Sequence, residues 1–142
     1  MKISVVVPAF NEEQGIAASL RSIRDAMTAF DAPGWTSELI VCDNNSTDRT
    51  ADLARDAGAL VVFEPTNQIS RARNTGAARA TGDWLIFVDA DSHPSRELFL
   101  DVVHAIQDGR YIAGGSTVCF FDKPDRGVRF AGWLWNTTSR LM

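Results

Sequence analysis

The sequence has few cysteines, no excess of basic residues and no long apolar run. Its two cysteines, Cys42 and Cys119, both lie in apolar stretches of the 142-residue chain. We therefore expect buried free thiols in a reducing compartment rather than a disulfide. Lysine and arginine total 14 against 18 acidic residues, which gives a net charge of −4. Because the basic residues are also not clustered, nucleic acid is not the expected partner.

Signals for secretion or membrane insertion are also missing. No apolar run approaches the roughly 20 residues that a transmembrane helix needs. The apolar stretch that starts at Ile3 already meets Pro8, so no secretory leader is expected. We therefore expect a cytoplasmic protein, with the inner face of the membrane as one place of action. The final residues, which include Trp133 and Trp135, resemble the interior of a longer sequence. This indicates a truncated chain, or an end that contacts a membrane or a second copy.

What remains is the composition of an ordinary globular domain. Apolar residues make up 45% and charged residues 23% of the chain, and its length suits one domain with a sizeable core. Apolar runs alternate with helical patterns, which predicts βαβ units and a mainly parallel sheet. Right-handed crossovers and short connections then favour the strand order 3-2-1-4. The predicted strands are residues 2–7, 38–42, 60–63 and 84–88, with a further strand within 111–121.

Four helices are predicted between and after the first four strands. Asn11 and Gln14 have the spacing of a capping box, so the first helix is expected to begin after Asn11. Ser46 or Thr47 is expected to cap the second helix, which ends before Gly58. The third and fourth helices are predicted over residues 70–80 and 95–108.

Two aspartates follow the fourth predicted strand. Residues 84–91 read WLIFVDAD, an apolar run that predicts a strand buried on both faces, followed by Asp89 and Asp91. In open α/β sheets, ligands bind at the carboxyl ends of the strands. Two carboxylates this close repel each other unless a cation lies between them. Hard oxygen ligands that leave positions open for phosphate suit Mg²⁺ or Mn²⁺, so the pair predicts a metal–diphosphate site.

Three further motifs are expected at the same edge of the sheet. They are PAFNE at residues 8–12, DNNSTD at 43–48 and ARNTG at 72–76. Together with the D-x-D pair, in this order and spacing, they resemble the inverting family-2 glycosyltransferases of the GT-A fold. The resemblance implies a Rossmann-like central sheet flanked by helices. It also implies a nucleotide-sugar donor domain over residues 1–121, with 122–142 as the incomplete start of an acceptor-side segment.

The resemblance implies roles for the residues that match the family's motifs near the base. Pro8 and Glu12 correspond to residues that line the base and ribose pocket. Asp43 corresponds to a carboxylate that accepts a hydrogen bond from a uracil-type ring N–H. A carboxylate suits this role because it only accepts hydrogen bonds and its charge strengthens them.

The resemblance also implies roles for residues of the ARNTG and D-x-D motifs. Arg73, with Arg71 as its neighbour, corresponds to the cation that meets the donor. Asp89 corresponds to a contact with the ribose or with a metal-bound water, and Asp91 to the direct ligand of Mn²⁺ or Mg²⁺. The full set of expected donor-binding residues is Pro8, Ala9, Asn11, Glu12, Asp43, Arg71, Arg73, Asp89, Ala90 and Asp91.

The chain departs from the family's pattern in two places. The position after Asp43 is often a second Asp followed by Gly, whereas here it is Asn44-Asn45. Asparagine tolerates the left-handed backbone that such a turn needs, so the turn is expected to survive. The family's catalytic base, an acidic residue in a more C-terminal segment, has no counterpart, because Asp122 and Asp125 come too early. An inverting displacement needs a base that reaches the acceptor hydroxyl, so the base is expected outside this chain.

The expected function is transfer of a sugar, with inversion, from a nucleotide-diphosphate donor such as a UDP-sugar. The acceptor is expected to be a saccharide or a lipid, as in cell-wall or polysaccharide synthesis. One alternative is a fragment that binds the nucleotide sugar without turnover. Another is a phosphatase of the haloacid-dehalogenase type, in which the first Asp of a D-x-D is a nucleophile, although that family carries its motif near the N-terminus.

Overall fold

The computed structural model describes residues 1–116 and contains a four-stranded sheet. All neighbouring strands are parallel, and their order is β3-β2-β1-β4, which confirms the predicted order. The carboxyl ends of the strands therefore lie at one edge of the sheet. The strands are β1 (Lys2–Ala9), β2 (Thr36–Asp43), β3 (Leu60–Phe63) and β4 (Trp84–Phe87).

Helices connect these strands and follow the last of them. α2 and α4 are each followed by a glycine with positive φ, Gly58 at 77° and Gly109 at 70°, a left-handed conformation that ends many helices. The helices are α1 (Ile16–Met27), which continues into a 3-10 turn (Thr28–Phe30), α2 (Thr50–Asp56), α3 (Ile69–Arg79) and α4 (Arg96–Asp108).

The core is built from the inner strands and the apolar stripe of α1. Residues 5–7 of β1 are fully buried, and so are Ile16, Leu20 and Ile23, which recur at helical spacing. The rings of Phe30 and Phe99 lie 5.4 Å apart between centroids. Burying a side chain of this size contributes about 1.5–3 kcal/mol, so these residues fix the sheet that carries the site.

Helix α3 lies directly against β1 and β2. A Cβ atom added to Gly76 would lie 2.5 Å from Val6 Cγ1, so this approach requires glycine. Cys42, in the same region, is a buried free thiol, as predicted. Its burial and then the carboxylates of Glu64 and Asp43 raise the pKa of Cys42 to about 11, so the thiol stays protonated at neutral pH. Cys119 lies outside the described residues.

β4 is less buried than predicted. The expectation that it is buried on both faces is wrong, because Leu85 and Phe87 are 42% and 43% exposed. The reason is the position of the strand: β4 is at the edge of the sheet formed by residues 1–116, and α3 lies against β1, β2 and β3. The apolar run therefore predicted the strand correctly but did not indicate whether other elements cover its faces.

Met1–Val103 form one compact unit, and a second unit begins at His104. In the second unit Arg110 donates to Asp108 Oδ1 and Oδ2, at 2.8 Å and 2.6 Å. The strand predicted within 111–121 is absent from residues 111–116, and 117–121 lie outside the described part. No helix within residues 1–116 has the length and apolarity needed to cross a membrane.

Candidate functional site

A pocket with a volume of about 460 Å³ lies at the carboxyl ends of β1 and β4. This is the edge at which open parallel sheets bind ligands, and small-molecule sites usually measure about 300–1,000 Å³. Its walls come from the loops after β1, β2 and β4 and from α3. The lining residues are Pro8, Ala9, Phe10, Glu12, Asn44, Ile69, Arg73, Asp89, Ala90 and Asp91.

Most of the residues predicted to bind the donor line this pocket, and three do not. Asn11, Asp43 and Arg71 are not among the lining residues. The lining residues that sequence reasoning missed as donor contacts are Phe10, Asn44 and Ile69. Phe10 and Ile69 are 46% and 55% exposed, and the available signal was a large apolar side chain within or beside a polar motif. The predicted residues that line the pocket are Pro8, Ala9, Glu12, Arg73, Asp89, Ala90 and Asp91.

Asn11 holds the loop after β1 to the loop after β2. Its backbone N–H donates to Ser46 Oγ at 3.0 Å, and its Oδ1 accepts from the Thr47 N–H at 2.8 Å. The neighbouring Glu12 N–H donates to Thr50 Oγ1 at 2.7 Å. Asn11 adopts a φ of 53°, a left-handed value that asparagine tolerates better than most residues. Asn11 therefore shapes the loop that lines the pocket without lining it.

These contacts explain why two predicted helix starts are wrong. α1 begins at Ile16, and its N-cap residue, Gly15, has no side chain that could cap it, while the Asn11 side chain bonds to the loop after β2. α2 begins at Thr50, whose N–H donates to Asp48 Oδ1 at 2.9 Å, while Ser46 and Thr47 bond to Asn11. Short polar side chains serve equally well as caps and as links between loops, so the local pattern did not distinguish the two roles.

Asp43 and Asn44 are both buried at the end of β2. Asp43 Oδ1 accepts from the Ser46 N–H at 3.1 Å. Asn44 Nδ2 donates to the backbone oxygen of Thr66 at 2.5 Å and to that of Glu64 at 3.4 Å, which ties the loop after β2 to the loop after β3. Asn45 has a φ of 64°, so the left-handed turn expected at this position is present.

The two arginines of α3 have different partners. Arg73 lines the pocket, where its Nη2 donates to Asp89 Oδ1 at 2.7 Å. Arg71 Nε donates instead to Oε1 of the buried Glu64 at 3.2 Å. Arg73 Nε is buried and, within the described part of the chain, has no hydrogen-bond partner. Since buried polar atoms are usually paired, this N–H is an unused donor beside the pocket.

The pocket also contains three carboxylates, Glu12, Asp89 and Asp91. Burial, and then the negative charges of Asp91 and Asp48, raise the pKa of Glu12, because each of them disfavours the charged form of this carboxyl group. Hard oxygen ligands with this charge fit Mg²⁺ or Mn²⁺, which are commonly bound by one or two carboxylates and completed by substrate phosphates. Within residues 1–116, no three His, Cys, Asp or Glu side chains are placed so that they could hold a metal ion together.

Sequence comparison relates the chain to glycosyltransferases. The family model described as glycosyl transferase family 2 matches residues 4–141. The dolichol-phosphate mannosyltransferase of Pyrococcus furiosus is 31% identical over 121 residues, which cover 82% of this chain and 33% of the relative. The probable glycosyltransferase YdaM of Bacillus subtilis is 35% identical over 104 residues, which cover 67% of this chain and 24% of the relative. The chain thus spans about a third or less of the length of these relatives.

Solved structures share the fold. The S. aureus TarS 1–349 complex with UDP-GlcNAc has a TM-score of 0.66 and 28% identity, over 88% of this chain and 37% of that one. Glucosyl-3-phosphoglycerate synthase of Mycobacterium tuberculosis, in complex with Mn²⁺, UDP and glucosyl-3-phosphoglycerate, has a TM-score of 0.56 and 35% identity. That match covers 67% of this chain and 36% of the other.

The fold and the pocket define an α/β domain whose ligand site lies at the carboxyl ends of parallel strands, beside a D-x-D pair. The family match extends over nearly the whole chain, and the structural neighbours have the same sheet. The chain belongs to glycosyl transferase family 2, and its described part has the GT-A fold. Both predictions are therefore confirmed.

Proposed function

We propose that this chain binds the nucleotide-sugar donor of an inverting, metal-dependent glycosyltransferase and that the donor is a UDP-sugar. The observation that carries the proposal is one pocket in which Arg73, Asp89 and Asp91 meet the PAFNE loop. Two solved relatives are complexes with UDP-GlcNAc and with UDP and Mn²⁺, which supports this donor. The chain spans about a third of the length of these relatives. The activity of the whole protein is therefore part of the proposal.

The base and ribose are assigned to the loops after β1 and β2. Pro8, Ala9 and Glu12 line the pocket and would contact the nucleoside. Asp43 Oδ1 already accepts from the Ser46 N–H, and we assign Oδ2 to the ring N–H of the base. Because a carboxylate only accepts hydrogen bonds, it would disfavour a base with an unprotonated ring nitrogen at that position.

The diphosphate is assigned to the other side of the pocket. Arg73 would donate to a phosphate oxygen through N–H groups that do not take part in its ion pair with Asp89. Asp91, with Asp89 second, would hold the divalent cation. When bound, such a cation neutralises the charge that develops on the diphosphate leaving group. Arg71 is assigned a supporting part in donor binding without direct contact with the diphosphate, because its Nε already pairs with Glu64.

The acceptor is assigned to the region after residue 121, and no residue of this chain is assigned as the catalytic base. We propose residues 1–121 as the donor-binding part and 122–142 as the start of the acceptor side, with a saccharide or a lipid as acceptor. A lipid acceptor would bring Trp133 and Trp135 to the inner face of the membrane, and a second copy of the chain is the alternative contact. The pocket carboxylates are assigned to donor binding, which leaves none of them for the role of catalytic base. We therefore propose that this chain alone binds the nucleotide sugar but does not transfer the sugar efficiently.

Calorimetry with UDP tests the proposal. We expect binding that strengthens with Mn²⁺ or Mg²⁺ and weakens when the cation is chelated. Asp91→Ala should remove this metal response, whereas Asp101→Ala, at an exposed position on α4, should keep it. Equal UDP affinity with excess chelator, or an unchanged metal response in Asp91→Ala, would contradict the assignment. The family match itself argues against the haloacid-dehalogenase alternative.

A further inference from the structure

Glu64 is a buried carboxylate that contacts α3 from one side of the sheet. It follows β3, is 5% exposed, and its backbone N–H donates to the Asp43 carbonyl at 2.9 Å. Its Oε1 accepts from Arg71 Nε at 3.2 Å, and its Oε2 accepts from Thr75 Oγ1 at 2.7 Å. The pKa of Glu64 is held at about 2, mainly by Thr75, the Thr66 N–H and Arg71, so the group is charged at neutral pH.

These two contacts with Glu64 lie on one side of α3. Successive residues of an α-helix are turned by about 100°, so Arg71 and Thr75 lie on the same side of the helix, one turn apart. Arg73 is then turned by about 200° from Arg71. Between the two sides, Ala72 and Gly76 are buried against the sheet. A helix held on one side by Glu64 must therefore present Arg73 on the other.

The other side of α3 faces the candidate diphosphate site. There Arg73 Nη2 donates to Asp89 Oδ1 at 2.7 Å, and Asp89 follows β4. Glu64 and Asp89 thus extend from the two outer strands of the β3-β2-β1-β4 sheet, and each holds one arginine of the same helix. Glu64 itself is buried, although its partner Arg71 is half-exposed, and the Arg73–Asp89 pair is half-exposed within the pocket.

We infer that Glu64 is a positioning residue, which sets the rotation of α3 so that Arg73, and not Arg71, meets the diphosphate of the donor. The inference rests on the proposed function for its ligand. It adds a reason why only one of two neighbouring arginines would contact the diphosphate: the buried carboxylate binds Arg71 and compensates its charge. The network extends to the pocket wall, since Asn44 donates to the carbonyls of Glu64 and Thr66.

Glu64→Gln tests the inference, with Glu38→Gln as the matched control. Glu38 is also held at a pKa of about 2 by a hydrogen-bond network, but it lies on β2 near the amino ends of the strands. Titration of the full chain with UDP and with uridine separates diphosphate contacts from nucleoside contacts. We expect Glu64→Gln to weaken UDP binding roughly tenfold and to leave uridine binding within about twofold. Glu38→Gln should change neither; equal losses for UDP and uridine would overturn the inference.

A cycle with Arg73→Ala adds a measurement that general destabilisation would not reproduce. If Glu64 acts through Arg73, Glu64→Gln should cause no further loss of UDP affinity when Arg73 is already alanine. The effect of Glu64→Gln on the melting temperature should remain in the Arg73→Ala background, because Arg71 and Thr75 still lose their partner. Losses of UDP affinity that multiply in the double variant would show that Glu64 acts by another route. If Glu64→Gln does not fold, Thr75→Val, which removes one of the two helix contacts, replaces it.

The NMR signal of the Arg73 Nε–H group tests the positioning role of Glu64 in the absence of any ligand. We expect it to shift in Glu64→Gln and to stay in place in Glu38→Gln, since only the first releases α3. An unshifted signal in Glu64→Gln would overturn the positioning role. If the wild-type chain binds no UDP, the proposed function fails, and this signal still tests the role of Glu64.

Discussion

Arg73 Nη2 lies 2.7 Å from Asp89 Oδ1, so the D-x-D pair and the ARNTG helix meet in one ion pair. The two residues are 16 positions apart in the sequence. Arg73 lies in α3, which precedes β4, and Asp89 lies in the loop that follows β4. Their contact means that one oxygen of Asp89 is already bonded by an arginine. We therefore assign the direct contact with a divalent cation to Asp91, and a more indirect contact to Asp89.

The first prediction concerns this arginine. Arg73→Ala should weaken UDP binding roughly 10- to 100-fold, since a hydrogen bond to a charged group contributes about 1.5–3 kcal/mol. Arg79→Ala, an exposed position in the last turn of the same helix, should leave the affinity unchanged. Calorimetry of both variants checks this, and an Arg73→Ala protein that binds UDP as well as the wild type would remove Arg73 from the donor site.

The strand order and the site edge were predictable from the sequence because both follow from strong local signals. The apolar run at residues 60–63 coincides with β3, and right-handed crossovers leave few ways to arrange four such strands. The position of Asp89 and Asp91 at this edge was predictable for the same reason, because they lie in the loop that follows β4.

The remaining features depend on contacts between distant segments. Whether Leu85 is buried depends on which element covers β4, and the apolar run contains no such information. Asn11 pairs with residues 46 and 47 rather than with its own helix. Asn44 bonds to Thr66, 22 positions away. Each of these polar side chains has a plausible local role, so only the tertiary structure shows which role is used.

The second prediction concerns the approach of α3 to the sheet. Gly76→Ala should lower the free energy of unfolding by about 1–3 kcal/mol, because the new Cβ would lie 2.5 Å from Val6 Cγ1. Gly15→Ala, where no atom lies within 4 Å of the new Cβ, should cost less than about 1 kcal/mol. Urea unfolding measures both. Combining Gly76→Ala with Val6→Ala should cost less than the sum of the two, and strict additivity would contradict the clash.

The third prediction is a pH dependence of stability that involves Glu38. Partial burial raises the pKa of Glu38, but hydrogen bonds from Lys2, Ser4 and Thr81 outweigh it and lower the pKa from 4.5 to about 2. The charged form is thus favoured in the folded state. Its contribution, on the order of 2–3 kcal/mol, is present above pH 4.5 and is lost as the pH falls toward 2.

Urea unfolding of wild type and Glu38→Gln between pH 7 and pH 2.5 measures this contribution. The difference in unfolding free energy should be largest at pH 7 and should narrow below pH 4.5, because protonation removes the charge from the wild-type group. Asp101→Asn, at an exposed position, serves as the control and should show a small difference throughout. A wild-type advantage that stays constant down to pH 2.5 would mean that the Glu38 network does not stabilise the charged form.

The last prediction concerns turnover. The pocket carboxylates Glu12, Asp89 and Asp91 are assigned to the donor, and no base is assigned within the chain. General base catalysis typically contributes about 10² to 10⁴ in rate, so sugar transfer by the 142-residue chain should be slower by a factor of this order than transfer by a longer chain that continues past Met142.

A panel of saccharide and lipid acceptors with a UDP-sugar donor measures the transfer rates of both chains. UDP affinity should be the same for the two chains, which separates loss of the base from loss of the donor site. Full turnover by the short chain would place the base among the pocket carboxylates or at Asp122 or Asp125.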